Sequence, residues 1–171
     1  MSEYVGLKIA IFLAACTIGL FFLIPIVAKS YDAKVADRFL ERSVEYKEVE
    51  FYDWVKANQK AAARYAFPVL FPLDLIFMFC LGGFLAVASS TLLGHGGASA
   101  RCVVASLIFP IAYVAFDLAE DSLLARMLTY PDSIAGLIRY AKALTIGKFA
   151  TCGIAIVQTV GVAVWALVCS R

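Results

Sequence analysis

Residues 9–28 read IAIFLAACTIGLFFLIPIVA, a run without a charged side chain. A helix of this length, rising about 1.5 Å per residue, reaches roughly 30 Å, the thickness of a bilayer's hydrocarbon core. Three further stretches are almost as apolar, at residues 66–93, 102–128 and 143–169. The sequence therefore predicts an all-α protein, an integral membrane four-helix bundle in which residues 1–171 form a single membrane domain.

Composition supports the same class. Of 171 residues, 63% are hydrophobic and 16% are charged, whereas soluble domains have about 45–50% apolar and about 25% charged residues. Continuous apolar runs, rather than short alternating segments, argue against a transmembrane β-barrel. The net charge of +2 provides no basic field for nucleic acid, so we expect no nucleic-acid partner.

One polar segment, residues 29–64, separates the first two spans. It holds 15 of the 28 charged residues and has neither Gly nor Pro, which favours a helical segment. Near its end, Trp54 is typical of a membrane interface. Lys56, Lys60 and Arg64 follow at four-residue spacing, which predicts a basic row that binds anionic lipid headgroups or docks another protein.

Lys and Arg residues predict the orientation in the membrane. Ten of them lie in residues 29–64 and 131–142, on one predicted face, against Lys8, Arg101 and Arg171 on the other. Cytoplasmic loops are enriched in Lys and Arg. We therefore expect residues 29–64 in the cytoplasm and both termini outside, and we expect a bacterial inner membrane as the location.

Apart from Arg126, close to the end of the third span, five charged residues interrupt the apolar spans. Such residues cost roughly 2.5–3.5 kcal/mol each on insertion scales and mark candidate functional sites. Three acids of the third span share one helix face at i, i+3 and i+4 spacing, and counting residues along the spans puts all five in the same half of the membrane. The sequence predicts one intramembrane polar cluster: Asp74, Asp117, Glu120, Asp121 and Lys148.

Three interpretations of this cluster stay open on sequence alone. Buried acid–base pairs can hold membrane helices together. The same residues can relay protons or ions. They can also form a hydrated metal site or a site acting on lipid headgroups.

The motifs of residues 65–150 resemble those of a group of small bacterial four-helix membrane proteins. The shared features are Pro72-Leu73-Asp74 near the start of the second span, an Asp-x-x-Glu-[Asn/Asp] motif from Asp117 to Asp121, and Lys148 early in the fourth. The resemblance implies a four-helix membrane fold. It implies no activity, but it supports treating these acidic and basic residues as one site.

Catalytic and cofactor motifs are lacking. His95, the only histidine, lies in a glycine-rich turn, which excludes a bis-histidine haem and a Glu-x-x-His di-iron site. No phosphate-binding loop or Ser/His/Asp set is present. We therefore predict no catalytic residues, no metal site and no cofactor.

These exclusions favour a non-catalytic accessory, assembly or scaffold subunit of a larger membrane complex. Its expected partners are membrane lipids and either another membrane protein or a second copy of the chain. The alternative is a small proton-coupled transporter or ion pathway that uses the acidic cluster. A lipid-modifying intramembrane enzyme is the third hypothesis.

Overall fold

The computed structural model describes residues 2–31 and 48–169, and this part of the chain is helical, without a β-strand. The predicted all-α class is therefore confirmed. The helices are α1 (Ser2–Tyr31), α2 (Glu48–Ala57), α3 (Gln59–Arg64), α4 (Leu75–His95), α5 (Ala100–Ser106), α6 (Ile108–Thr129) and α7 (Ile134–Cys169). An irregular segment, Tyr65–Asp74, joins α3 to α4, and a single tight turn, Pro131–Ser133, joins α6 to α7.

Four helical stretches are long and apolar enough to cross a membrane. They are Tyr4–Lys29, Gln59–His95, Ala100–Thr129 and Pro131–Val168. All four extend beyond the predicted spans at one or both ends, because hydropathy marks only the apolar part of a helix and backbone hydrogen bonds continue through its polar ends. Of the predicted polar segment, residues 32–47 lie outside the described part of the chain.

Helix α4 lies at the centre of the bundle and packs against α1, α6 and α7, while α6 and α7 pack against each other. The short helices α2 and α3 close one end. Phe51 and Val55 of α2 are buried there with Leu124 of α6 and Ile138 of α7. The apolar face of α2 thus belongs to the hydrophobic core at this end of the bundle.

Polar contacts join the helices towards the opposite end. The hydroxyl groups of Ser89 on α4 and Thr159 on α7 are hydrogen-bonded at 2.8 Å and buried. Gln158 Nε2 donates to the carbonyl oxygen of Ser106, at the end of α5, at 2.7 Å. Interhelical hydrogen bonds of this kind stabilise helix association in membranes, and they fix the register of α7 against α4 and α5.

Gly82 allows α4 to approach α6 closely. A Cβ atom at this position would overlap a methyl group of Val114, whose β-branched side chain has little rotamer freedom in a helix. Gly153 on α7 faces open space instead.

We expect Gly82→Ala to lower the Tm in detergent, since overpacking costs about 1–3 kcal/mol. Gly153→Ala should leave the Tm unchanged or raise it, because Ala is about 1 kcal/mol better than Gly within a helix. Thermal unfolding followed by circular dichroism measures both. Equal Tm values for the two variants would contradict the close packing of α4 on α6.

Candidate functional site

The structure brings the five intramembrane ionisable residues into one region between α4, α6 and α7. We call Asp74, Asp117, Glu120, Asp121 and Lys148 the charge cluster; all five are buried. The three acids of α6 lie on one helix face, and that face points into the bundle. Four carboxyl groups and one ammonium group thus share a space from which most water is excluded.

Lys148 is the cation that connects the acids of α6. Its Nζ atom lies 2.9 Å from Oδ1 of Asp117 and also contacts Oε2 of Glu120. The pairing of Asp117 with Lys148 follows from the packing of α6 on α7, two helices joined by one short turn. Because a buried charge is costly unless it is paired and hydrogen-bonded, these contacts are what make an ammonium group tolerable at this depth.

Thr145 belongs to the site although its sequence context did not single it out. Its Oγ1 atom contacts Oε1 of Glu120 and also lies 2.9 Å from the carbonyl oxygen of Ala141. The sequence does contain a signal for Thr145. It precedes Lys148 by three residues, so the two side chains lie on the same face of α7. A hydroxyl group carries one hydrogen and two lone pairs, so the Thr145 hydroxyl has two acceptors in reach and one proton to give.

Asp74 reaches the charge cluster from an interrupted helix. Within the irregular segment, Phe67 and Phe71 adopt extended backbone angles (φ −141°, ψ 110° and φ −122°, ψ 115°). Each precedes a proline, whose ring disfavours helical angles in the residue before it. The regular helix resumes immediately after Asp74, which places this carboxyl group at the positive end of the α4 dipole.

Asp74, Asp117 and Asp121 form the acidic side of the cluster. One carboxylate oxygen from each can be chosen so that all three lie within 4.8 Å of one another. Carboxylate oxygens are suitable ligands for hard cations. Lys148 lies beside the same group of oxygens, and its ammonium would repel a divalent ion strongly at low dielectric. The arrangement is therefore a candidate cation-binding site.

A cavity of about 360 Å³ leads to the cluster, with Asp74, Asp117 and Lys148 in its wall. Its other lining residues are mostly apolar and aromatic. Phe21 of α1 and Phe149 of α7 line it although they are 55% and 47% exposed. We therefore assign the mouth of the cavity to the surface of the bundle beside these two rings.

The second set of predicted site residues lies at the end of the bundle, apart from the charge cluster. Lys56, Lys60 and Arg64 are exposed, whereas Trp54 is partly buried and packs against the core. The three basic residues do not follow one continuous helix, because the chain leaves helical geometry at Asn58 (φ −129°, ψ 36°) between α2 and α3. The Asn58 amide donates to the Trp54 carbonyl oxygen and closes the end of α2.

Lys56 keeps its positive charge in this setting. Its Nζ atom donates a hydrogen bond to the Tyr52 hydroxyl at 3.2 Å, and this contact raises the pKa of Lys56 above its usual value. A lysine that remains charged at the end of the bundle is compatible with binding to lipid phosphates.

No family model, curated protein or solved structure matches the chain. The resemblance to small bacterial four-helix membrane proteins therefore stays a prediction, and function is inferred from the geometry of the site.

Proposed function

We propose that the protein is a small proton-coupled transporter or ion pathway, and that the charge cluster is its cation-binding site. The observation that carries this proposal is the cavity, which opens on the side of the bundle and ends at Asp74, Asp117 and Lys148. Ionisable residues inside membrane bundles mark ion pathways and proton relays when they line a cavity. A cluster that only held helices together would need no access from outside.

The interruption of the second span supports transport. Transporters commonly bind their substrates and coupling ions where a membrane helix is discontinuous. Here the discontinuity at Phe67 and Phe71 lies one to two turns before Asp74. The segment is partly packed, since Tyr65, Val69 and Leu70 are buried whereas Phe67 is exposed. An irregular backbone at such a place is stable only inside protein or beside a cavity.

Glu120 is the group that we propose binds the proton. When Glu120 is ionised, the Thr145 hydroxyl donates to Oε1. When Glu120 is protonated, its hydroxyl donates to Thr145 Oγ1, and the Thr145 hydrogen turns to the Ala141 carbonyl oxygen 2.9 Å away. Both protonation states are therefore hydrogen-bonded, which removes the cost of an unsatisfied buried polar group from either state.

Lys148 couples the proton to a second cation. It touches Glu120, which lies deep in the bundle, and Asp117, which lines the cavity. A singly charged cation that enters beside Asp117 raises the net charge of the cluster by one. Release of a proton from Glu120 restores the charge, and a change in net charge at low dielectric is expensive. The geometry thus favours exchange of one cation for one proton.

Proton flux in liposomes tests the proposal. We expect the purified protein, reconstituted with a pH-sensitive dye inside the vesicles, to dissipate an imposed pH gradient when an organic or alkali cation is supplied outside. Protein-free vesicles give the background rate. Glu48→Gln, at an exposed position on α2, is the control variant and should transport like the wild type. A wild-type rate equal to the background for every cation supplied would contradict the proposal.

The accessory-subunit hypothesis stays a prediction, because it rests on what the sequence lacks. Copurification in mild detergent tests it: a stable partner together with no flux from the isolated chain would favour it over transport. The lipid-modifying enzyme stays the third hypothesis. We keep the bacterial inner membrane as the proposed location, with residues 29–64 cytoplasmic and both termini outside, on the distribution of Lys and Arg.

A further inference from the structure

We infer that the cavity binds an organic ammonium cation with an apolar, preferably aromatic, body. This inference rests on the proposed transport function for its biological role, and it names the substrate class. It is carried by the cavity wall, which combines carboxylates with aromatic rings, and by the position of the cavity mouth.

The charged part of the wall selects for a cation. Asp74 and Asp117 line the cavity together with Lys148, so acids outnumber bases in the wall as they do in the whole charge cluster. An ammonium group that enters beside Asp74 and Asp117 forms charge-assisted hydrogen bonds or close ion pairs with them. Lys148 in the same wall would attract an anion, but it already contacts Asp117 and Glu120, so acids still outnumber bases and an anion meets net repulsion at low dielectric.

The rest of the wall suits an apolar body and an ammonium group at once. Phe21, Phe77, Tyr113 and Phe149 line the same cavity, and aromatic faces attract organic cations. Phe149 already shows this geometry within the protein, because Lys148 Nζ lies 5.7 Å from the centre of its ring. A bound ammonium group would contact an aromatic ring in the same way as the ammonium group of Lys148 does.

Size and access favour a hydrophobic amine over a hydrated metal ion. A cavity of about 360 Å³ lies within the range of small-molecule sites, roughly 300–1,000 Å³, and is much larger than an alkali ion requires. Its mouth lies between the exposed rings of Phe21 and Phe149, on the surface that faces lipid when α1 and α7 span a membrane. An amphipathic amine dissolved in the bilayer, or the amine of a lipid headgroup, has this chemistry.

Binding of benzyltrimethylammonium to the detergent-purified full chain, measured by isothermal titration calorimetry, tests the inference. We expect saturable binding of this cation and none of phenylmethanesulfonate, which has the same aromatic body and the opposite charge. Asp74→Asn should weaken the binding about tenfold or more, as expected for loss of a charged partner. Asp132→Asn, at an exposed position between α6 and α7, is the matched control and should bind like the wild type.

A second variant keeps the test decisive if Asp74→Asn fails to fold. Phe149→Leu alters a ring that is half exposed, so folding should tolerate it, and it should weaken binding, whereas Phe149→Tyr should restore it. Equal binding of the cation and the sulfonate, absence of cation binding, or unchanged affinity in both Asp74→Asn and Phe149→Leu would overturn the inference.

Two lipid additions distinguish the sources of the ammonium group. If phosphatidylethanolamine competes with benzyltrimethylammonium and phosphatidylglycerol does not, the ligand is a lipid headgroup amine; if neither competes, it is a free hydrophobic amine. Either result supports ammonium recognition.

Failure of this inference is separable from failure of the proposed function. Proton flux driven by alkali ions without ammonium binding would overturn only the inference. Ammonium binding without any flux would overturn only transport.

Discussion

Lys148→Met should lower the Tm more than any other single substitution in the charge cluster. The change removes the ammonium group that contacts Asp117 and Glu120 and leaves two buried carboxyl groups facing each other. Loss of one partner from a buried ion pair costs about 3–5 kcal/mol in soluble proteins, whereas polar contacts in a membrane protein average about 0.6 kcal/mol. We expect the free energy of unfolding to fall by an amount between these two limits, because Lys148 contacts two acids at once.

A double-mutant cycle with Asp117→Asn measures the coupling. Each single substitution should destabilise the protein, and the double variant should lose clearly less stability than the sum of the two, because the second change then removes a group whose partner is already gone. Lys148→Met combined with Asp132→Asn is the control cycle and should be additive. Additive losses for Asp117 and Lys148 would show that the observed 2.9 Å contact contributes no coupling energy.

Glu120→Gln should reduce cation-driven proton flux at least about tenfold, in line with the usual effect of removing a proton-transferring side chain. Glutamine retains the shape and the hydrogen bond to Thr145 but carries no exchangeable acidic proton. The variant should therefore fold and still bind a cation at Asp74 and Asp117 while failing to exchange it for a proton. The initial rate of internal pH change in proteoliposomes gives the effect.

Thr145 provides a matched pair of variants for the same assay. Thr145→Val removes the hydroxyl that satisfies Glu120 in both protonation states and should slow the flux, and Thr145→Ser should retain most of it. If Thr145→Val and Thr145→Ser were equally active, the hydroxyl would play no part in proton transfer. If Glu120→Gln transported protons like the wild type, Glu120 would not be the proton-binding group.

The spans and the charged face could be predicted because both depend on local sequence. Any 20-residue apolar run such as residues 9–28 forms a helix in lipid, since every backbone group must be satisfied within the segment. Likewise, Asp117, Glu120 and Asp121 share a face by helical geometry alone. The pairing with Lys148 followed from the short connection before α7, which makes α6 and α7 neighbours.

The remaining features of the site depend on contacts between helices, which the spacing of residues along the sequence does not predict. The break at Asn58 interrupts the predicted basic row, and the apolar face of α2 before it, with Phe51 and Val55, is packed into the core. The partnership of Thr145 with Glu120 depends on the register between two helices. The cavity depends on how α1, α4, α6 and α7 pack together, because residues of all four helices line it.

The interrupted second span is the feature that the sequence predicts least well. Pro68 and Pro72 predict a local departure from helical geometry, and the sequence is equally compatible with two simple kinks. Only the structure shows that Tyr65, Val69 and Leu70 anchor this segment in the core while Phe67 stays exposed, and that the segment ends at the charge cluster. Its position next to Asp74, rather than the prolines themselves, links it to the site.

The most direct test of the central claim, that Glu120 binds and releases a proton inside the bundle, is infrared spectroscopy of the folded protein during a pH titration. Protonated and ionised carboxyl groups absorb at different frequencies, and exchange into D2O shifts the protonated band. We predict a protonated-carboxyl band that appears and disappears with pH, is missing in Glu120→Gln, and persists in the control variant Glu48→Gln. A pH-dependent band unchanged in Glu120→Gln, or no such band in the wild type across the pH range in which it stays folded, would contradict the assignment.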